Sequence, residues 1–394
     1  MTKGLIARNT VKYEKKTLSC ALFYTMQIGI LKEPSGENRV SALPEIVNQF
    51  IKLNLKVAVE TGAGAQAYAA DDAYSQVGAA VCSREEVMRS SDLLLQIQMP
   101  QDVPAGKMIL GVYQPLFHFN QVASWASQGT TVFSMDVIPR TTRAQSMDVL
   151  SSQANIAGYK AVLLAASEYS RYFPMFMTAA GSIAPAKMLI LGAGVAGLQA
   201  IATAKRLGAV VEVFDTRPAV KEEVQSLGAK FVEVEGAADA SAAGGYAVEQ
   251  SEEYKQRQQQ KIAESVAKAD IIITTAQIPG KKAPILLTDA MIHSMRNGSI
   301  IIDLAAATGG NTNFTKNNES TMVNGVRIIG NSNLPSLMPS DASKMYGKNI
   351  FNFIKLIVDK EGNLHLNFED ELVRETCVAH AGKVSNDRVA ALLS

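Results

Sequence analysis

Short runs of apolar residues recur along the chain, and between several of them the apolar positions change to the spacing of a helix. From Met26 onward the first set of runs is Gln27–Leu31, Lys56–Glu60, Asp92–Ile97, Met108–Tyr113 and Thr131–Met135. Residues Pro44–Asn54, between the first two runs, place their apolar side chains on one helical face. Because apolar strands that alternate with helices pair in parallel, we predict a doubly wound α/β domain here.

A second set of apolar runs follows a long predicted helix, Ser151–Phe173. These runs are Met188–Leu191, Val210–Phe214, Phe231–Val234, Ile271–Thr275, Ile300–Leu304 and Arg327–Ile329. Near the end, Ile350, Phe353, Ile354 and Ile357 have helical spacing and predict a long packed helix. With 394 residues, the chain has room for two or three domains.

Composition and charge argue against several classes of function. A net charge of +1 gives no electrostatic basis for binding nucleic acid. Cys20, Cys82 and Cys377 are far apart and form no Cys-x-x-Cys pair, which fits a reducing, cytosolic setting. The four histidines lack the spacing of metal ligands, so we predict no metal site. The longest uncharged run, Met188–Ala204, is interrupted by glycines and predicts no membrane span.

Residues 1–25 differ in character from the rest of the chain. Five basic residues precede a short apolar patch, Leu18–Tyr24. A signal peptide is one interpretation, but the patch is short and lacks a clear cleavage site with small residues. We instead expect Met26 to be the natural start and the preceding residues to be a disordered or artefactual extension.

A glycine-rich turn joins the first two strands of the second set. It contains Gly192, Ala193, Gly194, Val195 and Gly197. A strand, a G-x-G-x-x-G turn, a helix and a second strand that ends in an acid, Asp215, form the dinucleotide-binding βαβ unit. Gly192 permits the tight turn, Gly194 lets the backbone approach a pyrophosphate, and Gly197 lets the helix pack closely on its strand. The N–H groups that begin the helix face the phosphates.

Asp215 also bears on which dinucleotide is bound. A carboxylate at this strand end accepts hydrogen bonds from a ribose 2′-hydroxyl and repels a 2′-phosphate. Arg217, two residues after it, is either a phosphate partner or a solvated loop charge. We therefore predict NAD rather than NADP.

A polar segment rich in alanine and glycine runs from Glu235 to Tyr254. So long a connection between a strand and a helix is unusual in a compact domain. Gly244 and Gly245 beside Tyr246 suit a hinge with an aromatic tip that closes over a ligand, and a solvated insertion is the alternative.

A polar loop, Pro139–Ala161, joins the two sets of strands. Arg140 and Arg143 can neutralise a pyrophosphate, while Gln145 and Asp148 can hydrogen-bond a ribose or a carboxamide. Ser151 and Ser152, which follow, are candidate helix N-caps. An interdomain network of salt bridges explains the same residues equally well.

This loop and the rest of the chain from Met26 closely resemble the NAD(H)-binding alpha subunit of proton-translocating nicotinamide nucleotide transhydrogenases. That subunit is the soluble domain I, in the alanine dehydrogenase/transhydrogenase superfamily. The motifs that carry the resemblance are GENRV (Gly36–Val40), RAQSMD (Arg143–Asp148), GAGVAGLQA (Gly192–Ala200), DTRPAVKE (Asp215–Glu222) and IIDLAAATGGN (Ile301–Asn311). RAQSMD between two such domains is the specific signal. The chain departs from the family at Gln277, where leucine is expected.

The resemblance implies an α/β fold of two Rossmann-like, doubly wound parallel-sheet domains, with the cofactor in the cleft between them and usually in a homodimer. We assign 26–148 with 336–394 to a discontinuous first domain and 149–335 to the NAD(H)-binding domain. By the resemblance, Arg140, Gln145 and Asp148 are the catalytic residues. The implied cofactor-binding residues are Arg140, Arg143, Gln145, Ser146, Met147, Asp148, Ser151, Gly192, Ala193, Gly194, Val195, Gly197, Asp215, Thr216, Arg217, Gly245, Tyr246, Gln258 and Gln277.

Alanine dehydrogenase shares this architecture and is the first alternative. Its chemistry needs a general acid or base and a cation for the substrate carboxylate. At the positions where that relative has lysine, histidine and aspartate, this chain has Gln96, Gln114 and Ala307, and only Arg39 is retained. A non-enzymatic, NAD-binding regulator is the second alternative.

Transhydrogenation needs no proton relay, because a hydride passes directly between two nicotinamide rings that the protein brings together. The resemblance therefore implies that NADP(H) is bound by a partner subunit and that membrane-spanning subunits carry the protons. We expect no nucleic-acid partner. We expect a cytoplasmic protein, held at the inner face of the plasma membrane through its partners.

Overall fold

The computed structural model describes residues 25–234 and 251–393. Its strands are β1 (Gln27–Ile30), β2 (Lys56–Glu60), β3 (Ala80–Cys82), β4 (Leu93–Leu95), β5 (Met108–Gly111), β6 (Thr131–Ser134), β7 (Phe176–Thr178), β8 (Gly181–Ile183), β9 (Lys187–Leu191), β10 (Val210–Phe214), β11 (Lys230–Phe231), β12 (Ile271–Thr274), β13 (Ile300–Asp303), β14 (Ser320–Val323), β15 (Val326–Ile329), β16 (Cys377–His380) and β17 (Lys383–Val384). Its helices are α1 (Pro44–Lys52), α2 (Asp71–Gln76), α3 (Arg84–Ser90), α4 (Phe119–Ser127), α5 (Val149–Glu168), α6 (Val195–Arg206), α7 (Lys221–Ser226), α8 (Glu252–Val266), α9 (Asp289–His293), α10 (Pro339–Ile357), α11 (Glu371–Thr376) and α12 (Asp387–Ala390).

The first sheet has the strand order β17-β16-β6-β5-β4-β1-β2-β3. Strands β1 to β6 are parallel, because helices connect them on either face. The winding reverses between β1 and β4, and a ligand in such a sheet binds beyond the carboxyl ends of strands at this reversal. At the other edge β16 and β17 pair antiparallel, so the last strands of the chain complete the first sheet.

The second sheet has the order β11-β10-β9-β12-β13-β15-β14. Its winding reverses between β9 and β12, directly beside the glycine-rich turn. Only β14 among its strands in the described residues runs antiparallel. The predicted α/β fold with two Rossmann-like parallel sheets is confirmed, and the antiparallel edge strands are an addition that the apolar pattern did not predict.

Helix α5 connects the two sheets, and its bounds differ from the prediction. It begins at Val149 rather than Ser151 and ends at Glu168 rather than Phe173. Its N-cap is Asp148, whose carboxylate accepts the backbone N–H of Ser151 at 2.9 Å. The prediction of Ser151 or Ser152 as N-cap is therefore wrong, because Asp148 supplies the acceptor one turn earlier.

Helix α10 packs its apolar side chains into the core of the first sheet, together with α1. This packing brings chain from beyond residue 335 against strands from the beginning, while the domain boundaries at 148/149 and 335/336 stay predictions. Of the predicted extension, residues 1–25, only Thr25 lies within the described residues. None of the helices in the described ranges combines the length and apolar character needed to cross a bilayer.

Candidate functional site

A cavity of about 780 Å³ lies between the two sheets. Residues that follow β5 and β6 form one wall, and residues that follow β9, β10 and β12 form the opposite wall. Both sheets therefore present the carboxyl ends of their parallel strands to one cleft, which is where α/β folds bind their ligands.

The glycine-rich turn is built by close backbone contacts. Gly192 has φ of +105°, and a Cβ on it would lie 2.2 Å from Oγ1 of Thr275. A Cβ on Gly197 would lie 1.9 Å from the carbonyl oxygen of Gly192, so only glycine lets α6 approach the turn. Gly194 has no atom within 4 Å of its Cβ position and lines the cavity, where its open side leaves room for a phosphate.

Asp215 lies in the cavity wall, and its carboxylate is fully engaged by this chain's own donors. Oδ2 accepts the backbone N–H of Ala193 at 2.7 Å and Nη2 of Arg217 at 2.8 Å. Oδ1 accepts the backbone N–H of Arg217 at 2.8 Å and its Nε at 2.9 Å. Arg217 is thus the ion-pair partner of Asp215, and the interpretation of Arg217 as a solvated loop charge is wrong.

The loop that joins the sheets contributes part of its predicted site. Arg140, Asp148 and Ser151 line the cavity, and Asp148 Oδ2 accepts the hydroxyl of Ser151 at 2.6 Å. Asp148 therefore caps α5 and fixes the Ser151 side chain in the same wall. Thr216, Gln258 and Gln277 also line the cavity, as do Gly192, Val195 and Arg217.

Other residues of the same loop point elsewhere. Arg143 forms an ion pair with Asp370, and Met147 is buried in the core of the first sheet. Gln145 and Ser146 are exposed, and the Ser146 carbonyl accepts the amide N–H of Asn349 at 2.9 Å. None of these four is among the residues that line the cavity, so their contacts with a cofactor stay predictions.

Two of the remaining predicted residues make hydrogen bonds that shape the wall. Ala193 is buried and contributes the N–H that holds Asp215. Gln277 donates from Nε2 to the carbonyl of Leu304 at 2.8 Å, which gives a polar patch to the wall where the family pattern expects leucine. Gly245 and Tyr246 lie outside the described residues.

A second cavity, of about 600 Å³, adjoins the first and shares Val112, Gln114 and Leu150 with it. Arg39 lies in its wall, and its Nε and Nη2 donate to the two carboxylate oxygens of Glu37 at 2.8 and 2.6 Å. Arg39 Nη1 donates to Oε1 of Gln153 at 2.8 Å. Sequence reasoning singled out Arg39 but missed Glu37, although both belong to the GENRV motif.

Burial controls the acids beneath this second cavity. Burial raises the pKa of Glu33 to about 8, because the N–H groups of Ile97 and Gln98 offset only part of the desolvation. Burial alone would also raise the pKa of Glu37, but its hydrogen bonds and ion pair with Arg39 lower it below the usual range. The second cavity is therefore lined by an internally neutralised ion pair.

Comparisons with known proteins agree with this architecture. Residues 29–157 match the family model described as the N-terminal domain of alanine dehydrogenase/PNT, and residues 161–387 match the C-terminal domain. The chain is 43% identical, over 374 residues, to an NAD(P) transhydrogenase subunit alpha of Rhodospirillum rubrum, covering 91% of this chain and 97% of that protein.

Solved structures give the same result. A transhydrogenase from Sinorhizobium meliloti superposes with a TM-score of 0.83 at 43% identity, covering 91% of this chain and 99% of that one. An L-alanine dehydrogenase superposes with a TM-score of 0.74 at 24% identity, covering 93% and 99%, and shares the fold. The chain belongs to the alanine dehydrogenase/PNT family.

Proposed function

We propose that the chain is the NAD(H)-binding alpha subunit of a proton-translocating NAD(P) transhydrogenase. It passes a hydride from NADH to NADP⁺ that a partner subunit holds, coupled to proton movement across a membrane. The observation that carries the proposal is the cleft itself, in which a dinucleotide-binding turn faces the loop with Arg140, Asp148 and Ser151. The identity with transhydrogenase alpha subunits over nine-tenths of the chain supports it.

Each end of the cleft has a proposed role. The N–H groups at the start of α6 and the open side of Gly194 take the pyrophosphate. Asp215 takes the adenosine ribose, after Arg217 releases its carboxylate. Arg140, Gln145, Asp148 and Ser151 hold the nicotinamide and its ribose, with exposed Gln145 facing the partner.

The chemistry asks this chain for position rather than proton transfer. Bound NADH supplies the hydride from C4 of its dihydronicotinamide ring. Among the described residues that line the first cavity, none is a lysine, histidine, cysteine or tyrosine. Hydride transfer between two nicotinamides needs no group that gains or loses a proton at the reacting carbon. Holding two rings in contact is worth several orders of magnitude in rate.

The arrangement of Arg39 weighs against the alanine dehydrogenase alternative. A substrate carboxylate needs an unpaired cation, and Glu37 already occupies two donor positions of the Arg39 guanidinium. Gln114 and Ala307, which line the second cavity, offer no general base. The regulator alternative leaves the cavity beside the nicotinamide end without a purpose.

We propose three kinds of partner for the chain. These are membrane-spanning transhydrogenase subunits, an NADP(H)-binding subunit and a second copy of this chain. The β7–β8 hairpin pairs with no other strand in the described residues and exposes Phe176, Met177 and Ile183. An exposed apolar hairpin of this kind suits a homodimer contact. The complex would hold the chain in the cytoplasm, at the inner face of the plasma membrane.

Mixing the chain with a separately produced NADP(H)-binding subunit tests the proposal. The partner is loaded with the thionicotinamide analogue of NADP⁺, whose reduced form absorbs separately from NADH. We expect reduction of the analogue only when chain, partner and NADH are all present. Oxidation of alanine by the chain alone, or no transfer with saturating NADH, would contradict the proposal.

A further inference from the structure

The wall between the two cavities contains one polar residue. Val112, Gln114 and Leu150 line both cavities, and of these only Gln114 carries a hydrogen-bonding side chain. Its amide offers both a donor and an acceptor, and Gln114 is exposed rather than packed in the core.

Gln114 has a backbone conformation that few residues with a side chain adopt. Its φ is +48°, in the left-handed region, where a residue other than glycine is disfavoured. Such a conformation persists only where the surroundings impose it, and it recurs at functional sites.

The surroundings of Gln114 do impose this conformation. Its carbonyl accepts the backbone N–H of Phe117 at 2.9 Å and of His118 at 3.0 Å, at the start of α4. Its own N–H and that of Tyr113 are bonded to the carboxylate of Asp136. Ser134 donates its hydroxyl to the same carboxylate at 2.5 Å and accepts the N–H of Tyr113. The loop is therefore held from both sides, and it presents the Gln114 side chain to the cavities.

The position of Gln114 in the cleft indicates what its amide meets. The dinucleotide turn and Asp215 lie in the wall formed by the second sheet, which under the proposed function takes the pyrophosphate and the adenosine. The opposite wall, with Gln114, Arg140 and Asp148, takes the nicotinamide. The second cavity opens beyond Gln114, on the side away from the adenosine end.

We infer that Gln114 is a further positioning residue of the hydride-transfer step, whose side-chain amide bonds the carboxamide of the bound nicotinamide and sets the orientation of its ring. The inference rests on the proposed function. In that step the C4–H bond of NADH breaks, the hydride and its electron pair form the new C4–H bond of the acceptor, and NAD⁺ remains. Gln114 neither gains nor loses a proton.

The test compares Gln114→Ala with Gln114→Gly in the full chain. Both remove the amide, but glycine adopts φ of +48° without strain whereas alanine does not. Single-turnover transfer from NADH to the thionicotinamide analogue on the partner subunit gives the rate, with NADH and its 4-deuterated form. NADH affinity is measured separately by titration. Gln101→Ala, an exposed glutamine outside both cavities, is the matched control.

We expect both variants to slow transfer by about 10- to 100-fold, because ring misplacement acts on the reacting geometry. NADH affinity should change less than about threefold, and the deuterium effect should persist because transfer stays rate-limiting. A normal rate for Gln114→Gly with a slow Gln114→Ala would assign the effect to the backbone and overturn the inference. So would a loss of affinity equal to the loss of rate, or normal rates for both variants. A wild-type chain that transfers no hydride would instead contradict the proposed function.

Discussion

At the scale of single residues, Asp215 illustrates how a binding group is stored before its ligand arrives. A carboxylate has about four acceptor positions, and four donors from Ala193 and Arg217 occupy them. A ribose diol can bond Asp215 only if the Arg217 side chain leaves. Arg217 therefore competes with NADH for the same carboxylate.

Replacing Arg217 should consequently favour NADH. In Arg217→Ala the buried Asp215 loses its ion-pair partner, so ribose hydroxyls gain more by bonding it, and we expect NADH to bind about 2- to 10-fold more tightly. In Asp215→Ala we expect binding at least about 10-fold weaker. Calorimetric titration measures both, and Lys221→Ala, a surface ion-pair variant in the following helix, serves as control. Weaker binding by Arg217→Ala would show that the guanidinium contacts the nucleotide instead.

Residues near the cleft also show where sequence reasoning stops. The glycines and Asp215 could be placed in advance because strand, turn and helix fix their relative positions. The loop 139–151 has no repeating period, so nothing in the sequence indicates that Met147 points to the core and Arg143 to Asp370. Asp148 and Ser151 are both good N-cap residues, and tertiary packing of α5 decides between them.

At the scale of elements, the crossing of α5 and α6 determines where the dinucleotide turn lies. A Cβ on Gly158 of α5 would be 2.1 Å from the backbone carbonyl oxygen of Ala196, in the first turn of α6. The contact joins the helix that carries Asp148 and Ser151 to the helix whose N-terminus faces the cavity. Glycine at this position therefore sets the width of the cleft.

Gly158→Ala should separate these two helices. Alanine is the better helix former, but the overlap with α6 backbone cannot be relieved by a side-chain rotation. We expect a net loss of about 1–3 kcal/mol in unfolding free energy and weaker NADH binding. Chemical denaturation and NADH titration measure the two effects. Ser167→Ala, on an exposed face of α5, should change neither by a comparable amount.

Among elements, long buried strands were predictable and short edge strands were not. β2 and β10 lie at the predicted bounds because most of the residues in each are apolar. β3, β14 and β17 are short and partly exposed, and so carry no apolar run to detect. Their pairing depends on neighbours that are distant in the sequence.

At the scale of the whole molecule, the β7–β8 hairpin is a strongly exposed apolar feature. Met177 is 77% exposed and Phe176 is 42% exposed, although both are in strand conformation. Tyr172 packs on Phe176 with ring centroids 4.4 Å apart, which gives the hairpin a rigid base. A surface of this kind is costly in water unless another molecule covers it.

The hairpin yields a prediction about assembly. The wild-type chain should have twice the mass of a monomer at micromolar concentration, measured by light scattering after size-exclusion chromatography. The double variant Phe176→Ser/Met177→Ser should be monomeric, because it removes apolar contacts without altering either core. Ala179→Ser, in the exposed turn between the strands, should remain dimeric. A monomeric wild type would contradict the homodimer.

The closure of the first sheet by β16 has a consequence for synthesis on the ribosome. β6 is complete at Ser134, yet its outer neighbour begins at Cys377, so more than half of the polypeptide emerges before that edge is paired. Until then a hydrogen-bonding strand edge is exposed on the nascent chain, where it can recruit a foreign strand. Maturation of the nucleotide cleft therefore waits for the final segment of translation, and truncated products should aggregate rather than persist as folded fragments.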